Sequence, residues 1–201
     1  MKGGIGRGLR GLLVALVLVL AGSALWTAWR SAHMADLERV ERWAPEISAA
    51  AAEAGIDRFL LAGLVYAESR GRADAVSSAG AEGLCQVKPA TAREVAQRLR
   101  IAGEPPYPPA QNLRIGARYL RQQMDRWQGS EDLGLMCFRL GPGRVAREVT
   151  AAGSAEAFLA ALRADSTSPW TYREQIRAAA ERLRSRDRVG VTRAWRPAAG
   201  A

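Results

Sequence analysis

The 201-residue chain has little of the chemistry that many enzymes are built on. It contains one histidine, His33, and two cysteines, Cys85 and Cys137. His33 falls upstream of the region that carries the strongest helical patterning. A Ser-His-Asp relay is therefore excluded there, as is a histidine-ligated metal, and two thiols alone cannot complete a tetrahedral zinc site. No metal or other cofactor is expected. Aromatic residues make up only 6% of the chain. Trp43, Trp127 and Trp170 read as packing residues, and Tyr107, Trp170 and Tyr172 are the rings considered for stacking on a ligand. There is no internal repeat and no long low-complexity tract, so neither a solenoid nor a second domain is expected.

Acidic residues are missing from the first 29 positions, which hold Lys2, Arg7 and Arg10 and then the uncharged run from Gly11 to Trp29. Nineteen such residues approach the ~20 that span a bilayer as a helix, with Trp26 and Trp29 suited to its interface. Residues 1–29 read as a signal anchor, although Gly22-Ser23-Ala24 also offers a cleavage site that would release the remainder. Basic residues ahead of the span place the amino terminus in the cytoplasm and the rest outside. Residues 30–44 read as a stalk, 45–186 as one domain and 187–201 as a flexible tail. The net charge is +9, or +6 without the three basic residues among the first 29. An exported domain of that sign is drawn to anionic envelope surfaces. Nucleic acid, the other partner of basic chains, is excluded by export.

From Pro45 onward helical periodicity dominates. It predicts helices near 45–54, 57–70, 89–100, 112–128, 130–140, 142–150, 154–164 and 169–186. Asp57, Asn112, Ser130 and Ser154 read as N-caps, and Pro89 and Pro142 as first-turn residues. Only 75–88 reads as non-helical, and its Gly and Ser content with Leu84, Cys85 and Val87 suggests a small hairpin. Leu60, Leu61, Leu64 and Val65 form a buried stripe that Glu68 continues four residues after Leu64. A carboxyl leaving a core face near a helix end meets partial desolvation and the negative end of the helix dipole. Both raise its pKa toward what a general acid needs near neutral pH.

Glu68-Ser69-Arg70, then Ser77, Gly80-Ala81-x-Gly83-Leu84-x-Gln86 and Pro89-x-Thr91-Ala92 resemble the Slt-type lytic transglycosylases, relatives of goose-type lysozyme. The resemblance continues through Asn112-Leu113-x-x-Gly116-x-x-Tyr119-Leu120 and Gly141-Pro142-Gly143-Arg144-Val145, covering about residues 45 to 186. It implies a mainly α, lysozyme-like fold in which a helical bundle carries a small β-hairpin beside the active-site cleft. It also implies peptidoglycan glycan strands as substrate, so that the span over residues 11–29 would sit in the bacterial inner membrane with the domain on the periplasmic side. In such enzymes one Glu protonates the glycosidic oxygen between N-acetylmuramic acid and N-acetylglucosamine. It then acts as base while the muramoyl 6-hydroxyl closes a 1,6-anhydro ring. Glu68 would take that role, with Ser77 and Gln86 at substrate-binding positions. Gly80 and Gly83 would let backbone approach the sugar, and Tyr172 would match a late tyrosine lining the cleft.

The chain departs from the family where Ala-Tyr-Asn-Ala-Gly-Pro is usual and Cys137-Phe138-Arg139-Leu140-Gly141-Pro142 stands instead. Phe138 keeps a ring but loses a hydroxyl. If Arg139 points into the site its cation depresses the Glu68 pKa. Since neighbouring helical side chains diverge by about 100°, Phe138 inward favours Arg139 outward. Cys85 and Cys137 replace methionine and alanine at positions expected to lie near one another, which leaves a disulfide and two free thiols as equal alternatives. Asp74 and Glu82 are the nearest candidates for the second carboxylate a hydrolase would need, and both read as solvated. The leading expectation is thus a membrane-anchored lytic transglycosylase. A glycan-binding scaffold that has lost turnover and a hydrolytic muramidase are the alternatives.

Overall fold

A computed structural model describes residues 5–192 and 194–195. The chain divides into two compact units, one ending at Asp36 and one beginning at Leu37. The first is helix α1 (Ile5–Glu41) up to that division. Its described apolar side chains stand exposed, Leu12, Leu16, Leu20 and Leu25 among them, and the helix is long and apolar enough to cross a membrane by length and composition. Trp26, Trp29 and His33 stack along one face at centroid separations of 5.3 and 5.2 Å, the i, i+3, i+4 spacing of a helix. Helix α1 runs through residue 30 without interruption.

The second unit takes in Leu37 and Val40, which are buried there, so its core begins before residue 45. It continues with α2 (Ala44–Ala54), α3 (Arg58–Ser69), α4 (Pro89–Arg98), α5 (Pro109–Asp125), α6 (Glu131–Leu140), α7 (Pro142–Ala152), α8 (Ala155–Ala164) and α9 (Trp170–Arg188). Local chemistry sets several of these limits. Asp57 accepts a hydrogen bond from Leu60 N at 2.8 Å and starts α3, and Ser130 and Ser154 do the same for α6 and α8. Asn112, expected as an N-cap, lies one turn inside α5 because Pro109 already provides a fixed φ for its first turn.

Helix α3 is the centre of the bundle. Every residue from Phe59 to Tyr66 is buried, as expected of a helix covered on all sides. It crosses α9 in antiparallel fashion at Gly63, where a Cβ would press into the Ile176 carbonyl oxygen and lie 3.1 Å from Ile176 Cγ2. At the other end of α9, Arg186 holds Glu41 through a two-pronged ion pair at 2.7 and 2.9 Å. Within the described part of the tail, Val189 and Val191 stand exposed while one residue is docked. Trp195 is buried, its ring packs 5.0 Å from Phe59, and its carbonyl accepts from Arg58 at 2.9 Å. Residues 193 and 196–201 lie outside the described residues.

The expected hairpin does not become a ladder of strands. Among the described residues the segment 75–88 forms only isolated antiparallel bridges, Val76 to Glu82 and Glu82 to Val87. Gly80, Gly83 and Gln86 have φ of +73°, +76° and +50°, a left-handed conformation that interrupts extended backbone. The result is a tight loop seated on α5. Asn112 accepts from Cys85 N at 2.9 Å and donates to Glu82 O at 3.1 Å. A Cβ on Gly83 would lie 2.6 Å from the Asn112 amide, and one on Gly116 would strike Cys85. The glycines at 83 and 116 therefore let the loop lie against the helix.

Candidate active site

Glu68 occupies the last turn of α3, immediately before Ser69 ends the helix and Arg70 turns into left-handed backbone. The apolar positions preceding it are locked in the core, so the carboxylate emerges half-buried on the wall of a cleft of about 520 Å³. One wall is the 75–88 loop and the start of α4, contributing Ser77, Gln86 and Lys88. The opposite wall is the end of α6 and the start of α7, contributing Phe138, Arg139 and Pro142.

Glu68 Oε1 accepts a 2.5 Å hydrogen bond from the Tyr172 hydroxyl, across 104 residues of sequence. Burial pushes the Glu68 carboxyl above its ordinary value, while the Tyr172 donor and the Arg139 cation pull against it without reversing the shift. Tyr172 is itself buried. Its own pKa is raised well above normal by burial and by the neighbouring carboxylate, which keeps it a proton donor in the hydrogen bond. The expectation of a raised Glu68 pKa thus meets burial as its main cause.

Phe138 and Arg139 both line the cleft, so the inward and outward split expected of successive helical residues is not what forms. Phe138 packs against Tyr119 with centroids 5.3 Å apart. Arg139 is exposed at its helix position, but its long side chain reaches back and sets the guanidinium 5.2 Å from the centre of the Tyr172 ring. That face of Tyr172 is therefore covered. The other rings considered for sugar stacking are also taken up. Trp170 is held between Arg163 and Arg173, each 4.7 Å away, and Tyr107 is buried and donates to Gly103 O.

The loop residues divide between surface and scaffold. The Ser77 hydroxyl oxygen accepts from Ala81 N at 3.0 Å while facing the cleft. The Gln86 amide donates to Ala75 O at 2.8 Å and Gly83 O at 2.9 Å, bracing the loop from within. Gly80 has open space around its Cβ position. Its glycine is required by the turn conformation, and Gly83 is required by Asn112. Asn112 is the bracing residue that the reading of the sequence missed, and its only signal was its place in the motif.

Cys85 and Cys137 are both free and buried, so of the two alternatives the structure holds thiols and no bridge. Cys137 Sγ lies 3.2 Å from the Trp127 indole nitrogen as its hydrogen-bond acceptor. Burial, aided by the Glu68 charge, pushes the Cys85 thiol far up, making it inert. Asp74 lines a separate hollow with Arg39, Arg42, Trp43 and Arg72. The Glu82 backbone is tied to Val87 and Asn112, and neither acid lines the cleft. Among the described residues Glu68 is the one carboxylate on its wall. No group of His, Cys, Asp and Glu among them is arranged to hold a metal ion.

A family model described as Transglycosylase SLT domain matches residues 45–160. The chain is 37% identical over 100 residues to a transglycosylase of Enterobacteria phage PRD1, covering 50% of this chain and 35% of that one. It is 34% identical over 113 residues to the endo-type membrane-bound lytic murein transglycosylase A of Salmonella paratyphi B, covering 52% of this chain and 56% of that one. The matched stretch thus spans about a third to a half of these relatives. The 70-kDa soluble lytic transglycosylase of Escherichia coli superposes with a TM-score of 0.54 over 67% of this chain and 22% of its own, at 23% identity, which establishes the fold. On the family match over more than half its length, the chain is a member of the SLT transglycosylase family.

Proposed function

We propose that this protein is a membrane-anchored lytic murein transglycosylase that cleaves glycan strands at the N-acetylmuramic acid to N-acetylglucosamine bond. The observation that carries the reading is a single half-buried carboxyl on the cleft wall, raised by burial, with one oxygen held by Tyr172. In the first step protonated Glu68 gives its proton to the glycosidic oxygen as the bond to muramoyl C1 breaks. In the second, the resulting carboxylate takes the proton of the muramoyl 6-hydroxyl as that oxygen bonds to C1. A 1,6-anhydro ring closes, Glu68 is returned to its starting state, and no water is consumed. A hydrolytic glycosidase places a second carboxyl about 5 to 9.5 Å from the acid, and among the described residues Glu68 has no such companion on the cleft wall. The length and apolar composition of helix α1 support a membrane anchor, and the basic residues ahead of the uncharged run from Gly11 support a domain on the periplasmic side.

Digestion of purified peptidoglycan by the full chain in detergent, with Glu68→Gln alongside, tests this. Mass spectrometry should find anhydro-muramoyl ends that disappear in the variant. Reducing muramoyl ends would mean hydrolysis. Intact glycan that still sediments with the protein would mean a binding scaffold.

A further inference from the structure

The cleft carries more positive charge than its acid requires. Arg139 and Lys88 stand on opposite walls, and Glu68 is the one carboxylate between them among the described residues. Glu68 is itself held toward its neutral form by burial and is engaged by Tyr172 on one oxygen. No carboxylate lies within ion-pair reach of Arg139 among the described residues. Its guanidinium carbon instead lies 5.2 Å from the centre of the Tyr172 ring, beside the acid, and the side chain lines the cleft. Most other arginines of this unit are spent on partners, as with Arg58, Arg114, Arg173 and Arg186. A planar guanidinium matches a carboxylate through two parallel hydrogen bonds.

We propose that Arg139 is a specificity residue that binds a carboxylate carried by the glycan beside the scissile bond, so that the cleft takes anionic muramoyl strands over neutral ones. This rests on the reading of the site as a glycan cleft and names the class of glycan it takes. Two sources present that carboxylate: the lactyl group of a muramoyl residue without a peptide, and a free carboxyl of an attached peptide. A lactyl carboxylate sits on the sugar that is cleaved, whereas a peptide carboxyl reaches the cleft from outside.

Binding to the full chain in detergent, with Glu68→Gln to prevent turnover, separates these. The probes are a neutral N-acetylglucosamine oligomer, a peptide-free oligomer of alternating N-acetylglucosamine and N-acetylmuramic acid, and the same oligomer with peptides attached. Arg139→Gln and Arg139→Lys are each combined with Glu68→Gln. The expected result is at least about tenfold tighter binding of a carboxylate-bearing oligomer than of the neutral one, the scale of one charge-assisted hydrogen bond. Arg139→Gln should erase that preference and Arg139→Lys should keep part of it. The peptide-free oligomer being preferred assigns the lactyl carboxylate, and preference only with peptides attached assigns the peptide carboxyl. Equal binding of all three oligomers, or a preference that survives Arg139→Gln, overturns the proposal while leaving the glycan cleft intact. Absence of binding to any of them overturns both.

Discussion

Replacing Gly63 with alanine sets two effects of opposite sign against each other. Helix propensity alone makes the substitution stabilising by about 1 kcal/mol, since Gly63 lies in the interior of α3. Packing says otherwise. The new methyl would press into the Ile176 carbonyl oxygen and lie 3.1 Å from Ile176 Cγ2 and 3.2 Å from Ala180 Cβ. A backbone oxygen in the middle of α9 cannot rotate away, so the two helices would have to separate by on the order of 1 Å. Overpacking of this kind costs up to about 3 kcal/mol. The net expectation is a loss of about 2 kcal/mol, read as a lower urea midpoint by tryptophan fluorescence with an unchanged slope. The same displacement moves Tyr172, which sits on α9 one turn before Ile176, away from Glu68. Glycan cleavage should therefore fall even under conditions where the variant is fully folded. A variant that is as stable as the parent or more so would refute the close crossing of α3 and α9 as the reason for glycine here.

Three further outcomes follow from the site and its supports. Tyr172→Phe removes a donor that favours the ionised form of Glu68, so the alkaline limb of the pH-rate profile should move to higher pH, and a limb that stays or falls contradicts the hydrogen bond. Arg186→Ala leaves the buried Glu41 carboxylate without its partner and should cost about 3 kcal/mol in chemical denaturation; a loss below about 1 kcal/mol would mean that water screens the pair. Glu68→Gln should be more stable than the parent at neutral pH. The folded pKa of Glu68 lies above the unfolded value of 4.5, so the native parent loses stability as pH rises through that window. The advantage of Glu68→Gln should shrink as the pH falls through the folded pKa toward 4.5 and be absent below it, and denaturation curves at several pH values check this.

The helices were legible in the sequence because each carries its own periodicity and end signals. The Asp57, Ser130 and Ser154 caps and the proline starts at Pro89 and Pro142 all lie within a few residues of the elements they mark. Glu68 was legible for the same reason, being the polar end of a buried stripe. What could not be read was set by contacts between distant segments. Gly83 looked like a sugar-facing glycine and is in fact the seat of Asn112, because nothing local says that α5 passes beneath the loop. Gln86 looked like a ligand-facing amide and spends its donors on Ala75 and Gly83. Trp195, in a segment of Arg, Pro, Ala and Gly that reads as a tail, is buried against Phe59. Arg139 was assigned by the 100° rule for adjacent helical positions, which fixes where a side chain leaves the helix but not where a long, flexible one ends.

That last point bears on how one carboxyl can serve twice. A general acid must start with its proton bound and a general base without it, and in the proposed reaction Glu68 must be each in turn, which a pKa near the working pH serves best. Burial from α3 and its neighbours provides the first tendency, and the Tyr172 hydroxyl and the Arg139 cation oppose it. The three influences come from different parts of the chain, so each can be altered alone. Weakening the opposition should raise the share of Glu68 that starts protonated while making that proton harder to give up; weakening the burial should do the reverse. A substrate carboxylate that engages Arg139 would draw part of the cation's field away from Glu68. It would raise the acid's proton affinity at the moment the glycosidic oxygen is in place. Recognition of an anionic strand and protonation of the acid would then be one event, carried by the residue at which this chain departs from its family's usual asparagine.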